Sequence, residues 1–77
     1  GGSGRKMENI VDRIIKKNND VKFVVNAVTP ETLSETLRIC QKIKRTPDIV
    51  QVFAARGEKA GSSTIMRALN PVYIISF

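Results

Sequence analysis

Apolar residues along this chain follow two rhythms, and the points where one gives way to the other divide it into elements. Met7, Ile10, Val11, Ile14 and Ile15 recur at the spacing of a single helical face, which predicts a helix from Arg5 to about Asn18. Glu8 and Asp12 lie early in it and Lys16 and Lys17 late, as the helix dipole favours. Asn18-Asn19-Asp20 reads as a turn. Val21 to Val28 (VKFVVNAV) is then a valine-rich run with Phe23 inside it and Asn26 as its uncharged polar residue, the pattern of a buried strand. Thr29 offers a hydroxyl as an N-cap, Pro30 occupies the first helical position, and Glu31 lies near the positive end of the dipole. A second helix is therefore predicted from Pro30 to about Arg45, because Pro47 disfavours the helical conformation for Thr46. Its inner stripe is Leu33, Leu37, Cys40 and Ile43, widened by Ile39.

Ile49 to about Arg56 (IVQVFAAR) reads as a second strand. Strand, helix, strand in this order is a right-handed crossover, which leaves the two strands parallel. Gly57 to Ser63 is a loop by composition, and Thr64 to Leu69 fits either a short strand or a single helical turn. Asn70-Pro71 is a turn signal, and Val72 to Phe77 is a third strand, antiparallel to the second because little helical content separates them. The predicted whole is one small α/β domain over residues 1–77, in the order loop-α-β-α-β-β. The last strand lies between the first two, making a mixed three-stranded sheet, with both helices on one face. Ligands of such sheets bind at the carboxyl ends of the strands, here Asn26 to Thr29.

Composition narrows the function more than it identifies it. The 77 residues are 42% apolar, which excludes a disordered tail, and no apolar run approaches the roughly 20 residues of a membrane span. No secretory signal is apparent, and a lone Cys40 on an apolar helix face reads as a small core residue in a reducing compartment. Histidine is absent, so zinc-finger, Cys-His and Ser-His-Asp chemistry leave consideration. The net charge of +6 points outward, to nucleic acid, an anionic membrane or an acidic small molecule. Lys16, Lys17, Lys42, Lys44 and Arg45 are accounted for as solvated helix ends. A nucleic-acid surface would need aromatic residues for stacking, and Phe23, Phe53, Phe77 and Tyr73 all fall at apolar positions of predicted strands.

Gly1-Gly2-Ser3-Gly4 fits a flexible linker, and equally a loop in which glycine lets backbone approach a ligand and Ser3 or Gly4 caps the following helix. One resemblance bears on that choice and on the function. VVNAVTPETL followed by QVFAARGEKAGSSTIMRALNPVYIIS resembles the C-terminal half of the decarboxylating precorrin methyltransferases of cobalamin biosynthesis. A Val-Asn-Ala-Val-Thr strand end, Glu-Thr-Leu, Arg-Gly-x-Lys, Thr-x-Met and Asn-Pro-Val-x-Ile-Ile occur there in the same order and spacing. A Gly-Gly-Ser/Thr-Gly loop also precedes the corresponding helix.

The resemblance implies the C-terminal half of a Rossmann-like class I methyltransferase sheet and S-adenosylmethionine as cofactor, with Gly1, Gly2, Ser3 and Gly4 near the methyl-transfer site. It implies a precorrin-type polycarboxylate tetrapyrrole as substrate, and Asn26, Arg56, Lys59, Thr64 and Arg67 as residues facing it. It further implies a cytoplasmic homo-oligomer, dimer or tetramer, built through the late strands, with Met66 packing across it. The family's glycine-rich cofactor loop and acidic ribose partner have no counterpart in these residues. The chain by itself is therefore expected to be inactive and to bind S-adenosylmethionine negligibly. A ligand-free assembly module and a basic nucleic-acid-binding module are the competing readings.

Overall fold

The computed structural model describes residues 3–77, with side chains from Lys6 onward. Gly1 and Gly2 of the expected cofactor loop, and the side chains of Ser3 to Arg5, lie outside what it describes. Helix α1 spans Ser3–Lys17 and helix α2 Pro30–Ile43; the strands are β1 Val24–Ala27, β2 Asp48–Val52, β3 Ala55–Ala60, β4 Ser63–Ala68 and β5 Val72–Ser76.

Three of the strands form a sheet in the order β1-β5-β2. The last strand is central and antiparallel to both neighbours, with Val25 and Ile49 flanking Ile75 from either side. The outer strands consequently run parallel to each other, as the right-handed crossover requires. Alternation then separates the faces. Val25, Ala27 and Ile75 point to the helices, whereas Val24, 68% exposed, and Asn26 point away. Val11 of α1 and Ile39 and Cys40 of α2 close over Ala27, Ile75 and Phe77 in one buried cluster. Burial pushes the Cys40 thiol pKa up, as suits an inert core residue.

The start of α2 follows from its sequence. Thr29 is extended (φ −122°, ψ 150°) and its hydroxyl accepts from the Thr32 amide at 3.2 Å, with Pro30 behind it at the first helical positions. Its inner stripe is largely the expected one: Ile39 and Cys40 are buried and Leu33 and Ile43 pack against the core, while Thr36 joins them buried and Leu37 is half-buried. Thr36 is admitted because its hydroxyl donates 2.8 Å to the Thr32 carbonyl within the helix.

Several expectations need correction. The first strand is Val24–Ala27, shorter than the expected Val21–Val28, and the first helix already includes Ser3 and Gly4, expected as loop and cap. The second helix ends at Ile43, not Arg45: Lys44 turns left-handed (φ 61°, ψ 41°), and its amide caps the Cys40 and Gln41 carbonyls. Arg45 is thereby freed from the dipole role assigned to it. Its guanidinium donates to the carbonyls of Val21 (2.5 Å), Phe77 (3.0 Å) and Asn19 (2.7 Å), 5.7 Å over the Phe23 ring. The second strand stops at Val52, leaving Phe53 72% exposed instead of inside a strand. The supposed loop Gly57–Ser63 is mostly hairpin: β3 and β4 pair from Ala55↔Ala68 to Ala60↔Ser63, and Ser63–Ala68 resolves as a strand. Gly61, with φ 64°, takes the first position of the two-residue turn, which a type II′ hairpin reserves for glycine.

The helices are cross-linked by charge. Glu8 on α1 accepts from Arg38 at 2.7 Å and from Lys42, both on α2, and Arg38 also holds Glu35 at 2.9 Å. The Lys42 and Arg38 hydrogen bonds lower the Glu8 pKa from 4.5 to about 2. A depressed carboxylate stabilises the fold above its unfolded pKa and loses that contribution as pH falls through the folded one. The thermal midpoint should therefore decline between pH 4.5 and about 2, and Glu8→Gln should flatten that decline when melts are followed by circular dichroism. For Arg45, substitution by Lys keeps the charge but cannot span three carbonyls, so urea titration should show a loss of about 2 kcal/mol.

Candidate functional site

The carboxyl ends of β1 and β2 lie at one end of the sheet, and Asn26 and the root of the β3–β4 hairpin lie there. Ala27, Tyr73 and Gln51 form the last rung shared by all three strands at that end, where Gln51 Nε2 donates to the Tyr73 hydroxyl at 3.0 Å. Tyr73 is half-buried against the core, so its ring is fixed while its hydroxyl stays at the rim. Sequence reading missed this pair. Gln51 as the uncharged polar residue of IVQVFAAR was the available signal. Asn26, exposed, belongs to the face turned away from the helices and so lies across the sheet from the Tyr73–Gln51 rung. Thr29 and Thr32 are committed to capping, their hydroxyls 3.0 Å apart.

From the same end springs the β3–β4 ribbon, closed at its base by the Leu69 amide donating 2.9 Å to the Ala54 carbonyl. Among the described residues it touches no other helix or strand, which draws the molecule out to 57 Å. Its register sorts the expected substrate residues into two groups. Arg56 stands directly opposite Arg67 on one face, one rung from the base pair Ala55↔Ala68, and Lys59 stands opposite Thr64 on the other. Arg67 donates through Nε to Glu58 at 3.0 Å. Met66 lies opposite Gly57 on the Lys59 face, 69% exposed. Asn26 therefore shares an end of the sheet with this ribbon.

Two concavities lie elsewhere. One, of about 700 Å³, opens at the far end of the sheet around Asp20, Lys22, Arg45 and Asp48, but the Arg45 donors there are already given to backbone carbonyls. The other, of about 320 Å³, is an apolar groove between α1 and the outer edge of β1, lined by Met7, Ile10, Ile14, Phe23 and Val24. Among the described residues no cluster of three or more metal-ligating side chains occurs, and no helix is long and apolar enough to cross a membrane, which says nothing of strands. Phe23 and Phe77 stack on each other at 5.1 Å between centroids, so neither offers a platform for bases.

No protein-family model matches the chain. Individual proteins do. A Pyrobaculum calidifontis protein named "probable cobalt-precorrin-6B C(15)-methyltransferase (decarboxylating)" is 33% identical over 76 residues, covering 99% of this chain and 39% of its own. One of the same name from Methanobrevibacter smithii is 32% identical over 77 residues, covering 99% and 41%. Among solved structures, a precorrin-6Y C5,15-methyltransferase from Geobacter metallireducens superimposes with a TM-score of 0.76 at 28% identity, covering 99% of this chain and 38% of that one. The precorrin 8W decarboxylase of Methanobacterium thermoautotrophicum gives 0.74 at 31%, covering 99% and 41%.

A free hairpin of two strands is marginal in water. Gly61→Val, which forces a β-branched residue to positive φ, should cost the ribbon more than about 1 kcal/mol while sparing the sheet. Amide exchange by NMR would show it as lost protection in Ala55–Ala68 with Val72–Ser76 unchanged. The chain spans about two fifths of the length of the proteins it matches, and over nearly all of its own length it is related in sequence and fold to the decarboxylating precorrin methyltransferases.

Proposed function

We propose that this chain performs the part of the C-terminal half of a cytoplasmic, S-adenosylmethionine-dependent precorrin methyltransferase/decarboxylase, supplying a wall of the substrate cleft and the contacts of a homo-oligomer. The observation that carries it is the agreement of sequence and fold over 99% of the chain with proteins named for that activity. A precorrin-type substrate bears several carboxylates, and the basic ribbon beside the carboxyl ends of β1 and β2 suits such a ligand. Asn26, Arg56, Lys59, Thr64 and Arg67 are the residues assigned to it.

The methyl donor itself finds little here to hold it. Gly57 and Gly61 both belong to the ribbon, Gly4 to the first turn of α1, and the Glu8 and Glu35 carboxylates are spent on Arg38 and Lys42. No described strand ends in a glycine-rich turn with a free acid to take a ribose. Calorimetry with S-adenosylmethionine and the 77-residue chain should therefore show no saturable binding at micromolar concentrations. Gly1 to Gly4 remain assigned to the cofactor side of the cleft, in the complete catalytic unit.

Oligomerisation is the second half of the proposal. Val24, Val50 and Val52 leave the sheet face away from the helices uncovered, and Ile65, Met66 and Leu69 are exposed along the ribbon. Burying even 400 Å² of such surface is worth about 10 kcal/mol before the entropy of association, the order of a small domain's whole stability. Light scattering after size exclusion should give a dimer or tetramer mass. A folded monomer at high micromolar concentration refutes this half.

The activity is tested by exchange. The matching two fifths of the Pyrobaculum calidifontis relative is replaced by this chain, and methyl transfer and decarboxylation are assayed on cobalt-precorrin-6B. Turnover is expected. A folded chimera that binds S-adenosylmethionine but turns nothing over overturns the reading.

A further inference from the structure

Two arginines facing each other across a ribbon need a reason, because like charges at directly opposed positions destabilise an antiparallel pair. Arg56 and Arg67 are such partners, and their β-carbons lie roughly 4.5–5.5 Å apart by strand geometry. Glu58 relieves the repulsion in part. It accepts from Arg67 Nε at 3.0 Å, and among the described residues the terminal amino groups of that guanidinium have no partner. Among the described residues Arg56 has no hydrogen bond or ion pair, and Arg67 remains 63% exposed. The trio carries a net charge of +1, matching one carboxylate. Lys59 stands on the other face of the ribbon and cannot share in the contact.

We propose that Arg56 and Arg67 form a carboxylate fork at the root of the ribbon, which takes one acidic side arm of a polycarboxylate tetrapyrrole and fixes its orientation over the carboxyl ends of β1 and β2. This rests on the precorrin reading for the class of ligand, and adds to it the pair that selects the ligand's edge. Two adjacent guanidinium planes can each present parallel N–H groups to a carboxylate, a geometry that lysine cannot reproduce. Glu58 acts as the positioning residue: by holding Nε it sets the plane in which Arg67 offers its remaining donors.

The test is binding of uroporphyrin, an octacarboxylate tetrapyrrole, to the 77-residue chain, followed by fluorescence anisotropy at low salt. Saturable binding is expected, and Arg56→Gln and Arg67→Gln should each weaken it about tenfold. Arg56→Lys should recover only part of the loss, and Lys16→Gln, the same charge change in the last turn of α1, should cost less than twofold. A tetracationic porphyrin of equal ring size should not compete. Because both arginines are exposed, far-ultraviolet dichroism of the variants should match the parent.

Equal weakening by Lys16→Gln would mean a diffuse basic surface and overturn the fork. So would absence of saturable binding by the parent chain, or an Arg56→Gln variant whose effect is a change of mass in light scattering, which would place the pair against a second copy. The fork and the parent reading fail separately. A chimera without turnover whose uroporphyrin binding still depends on Arg56 removes the enzyme assignment and leaves the fork standing.

Discussion

The fold depends on one strand arriving late in the chain and entering the sheet backwards. β1 and β2 run parallel, and the space between them is filled by β5, whose Ile75 sits between Val25 and Ile49 and is fully buried. Every other contact in the core refers to that insertion. Ile39 and Cys40 descend from α2 onto Ala27 and Ile75, Val11 closes the cluster from α1, and Phe77 continues the strand to stack on Phe23. Arg45 then ties the Val21 and Phe77 carbonyls at the far end, where no ladder partner reaches them. A central strand pairing on both sides satisfies two rows of backbone groups at once, which explains why so small a core suffices.

The same insertion generates the working end of the molecule. For β5 to reverse direction beside β2, the chain must leave the sheet at Val52 and return at Val72, and the intervening residues have nothing of the sheet to pair with. They pair with each other. The ribbon is thus the connection made into structure, and its root is bound to lie at the carboxyl ends of β1 and β2. Charged side chains on the ribbon are thereby brought to the place where open α/β sheets bind ligands, although the core residues themselves contribute little polar chemistry there beyond Tyr73 and Gln51.

Much of this was legible in the sequence, for identifiable reasons. Apolar period, Thr29-Pro30 and the short link before Val72 carry local physics, so the helices, the α2 cap and the central reversed strand could be read directly. The ribbon could not be read as a hairpin, because Arg-Gly-Glu-Lys-Ala-Gly-Ser has the composition of a loop. Only Gly61 needs the left-handed region, and pairing of exposed residues leaves no apolar alternation to detect. Arg45 was misread for a similar reason: a base near a helix end looks like a dipole partner until the left-handed turn at Lys44 swings it toward distant carbonyls. The ribbon residues expected at a site could be named from the sequence but not sorted onto two faces, since only the β3–β4 register separates Arg56 and Arg67 from Lys59 and Thr64.

Size is the final constraint. A domain of this length buries only about three fifths of the surface of its extended chain, so apolar residues beyond the small core have to sit on the outside. Several of them gather on two surfaces here. Val24, Val50 and Val52 gather on the one sheet face without helices, and Ile10 and Ile14 line the groove beside the unpaired edge of β1. Segregation of this kind is the mark of surfaces meant to be covered, since a sheet built to face water alternates polar residues outward. A sheet so exposed at an edge and on a face is stable in proportion to what packs against it. The covering of that face and edge therefore bears directly on the stability of the fold, while the charged β3–β4 ribbon reaches away from the core.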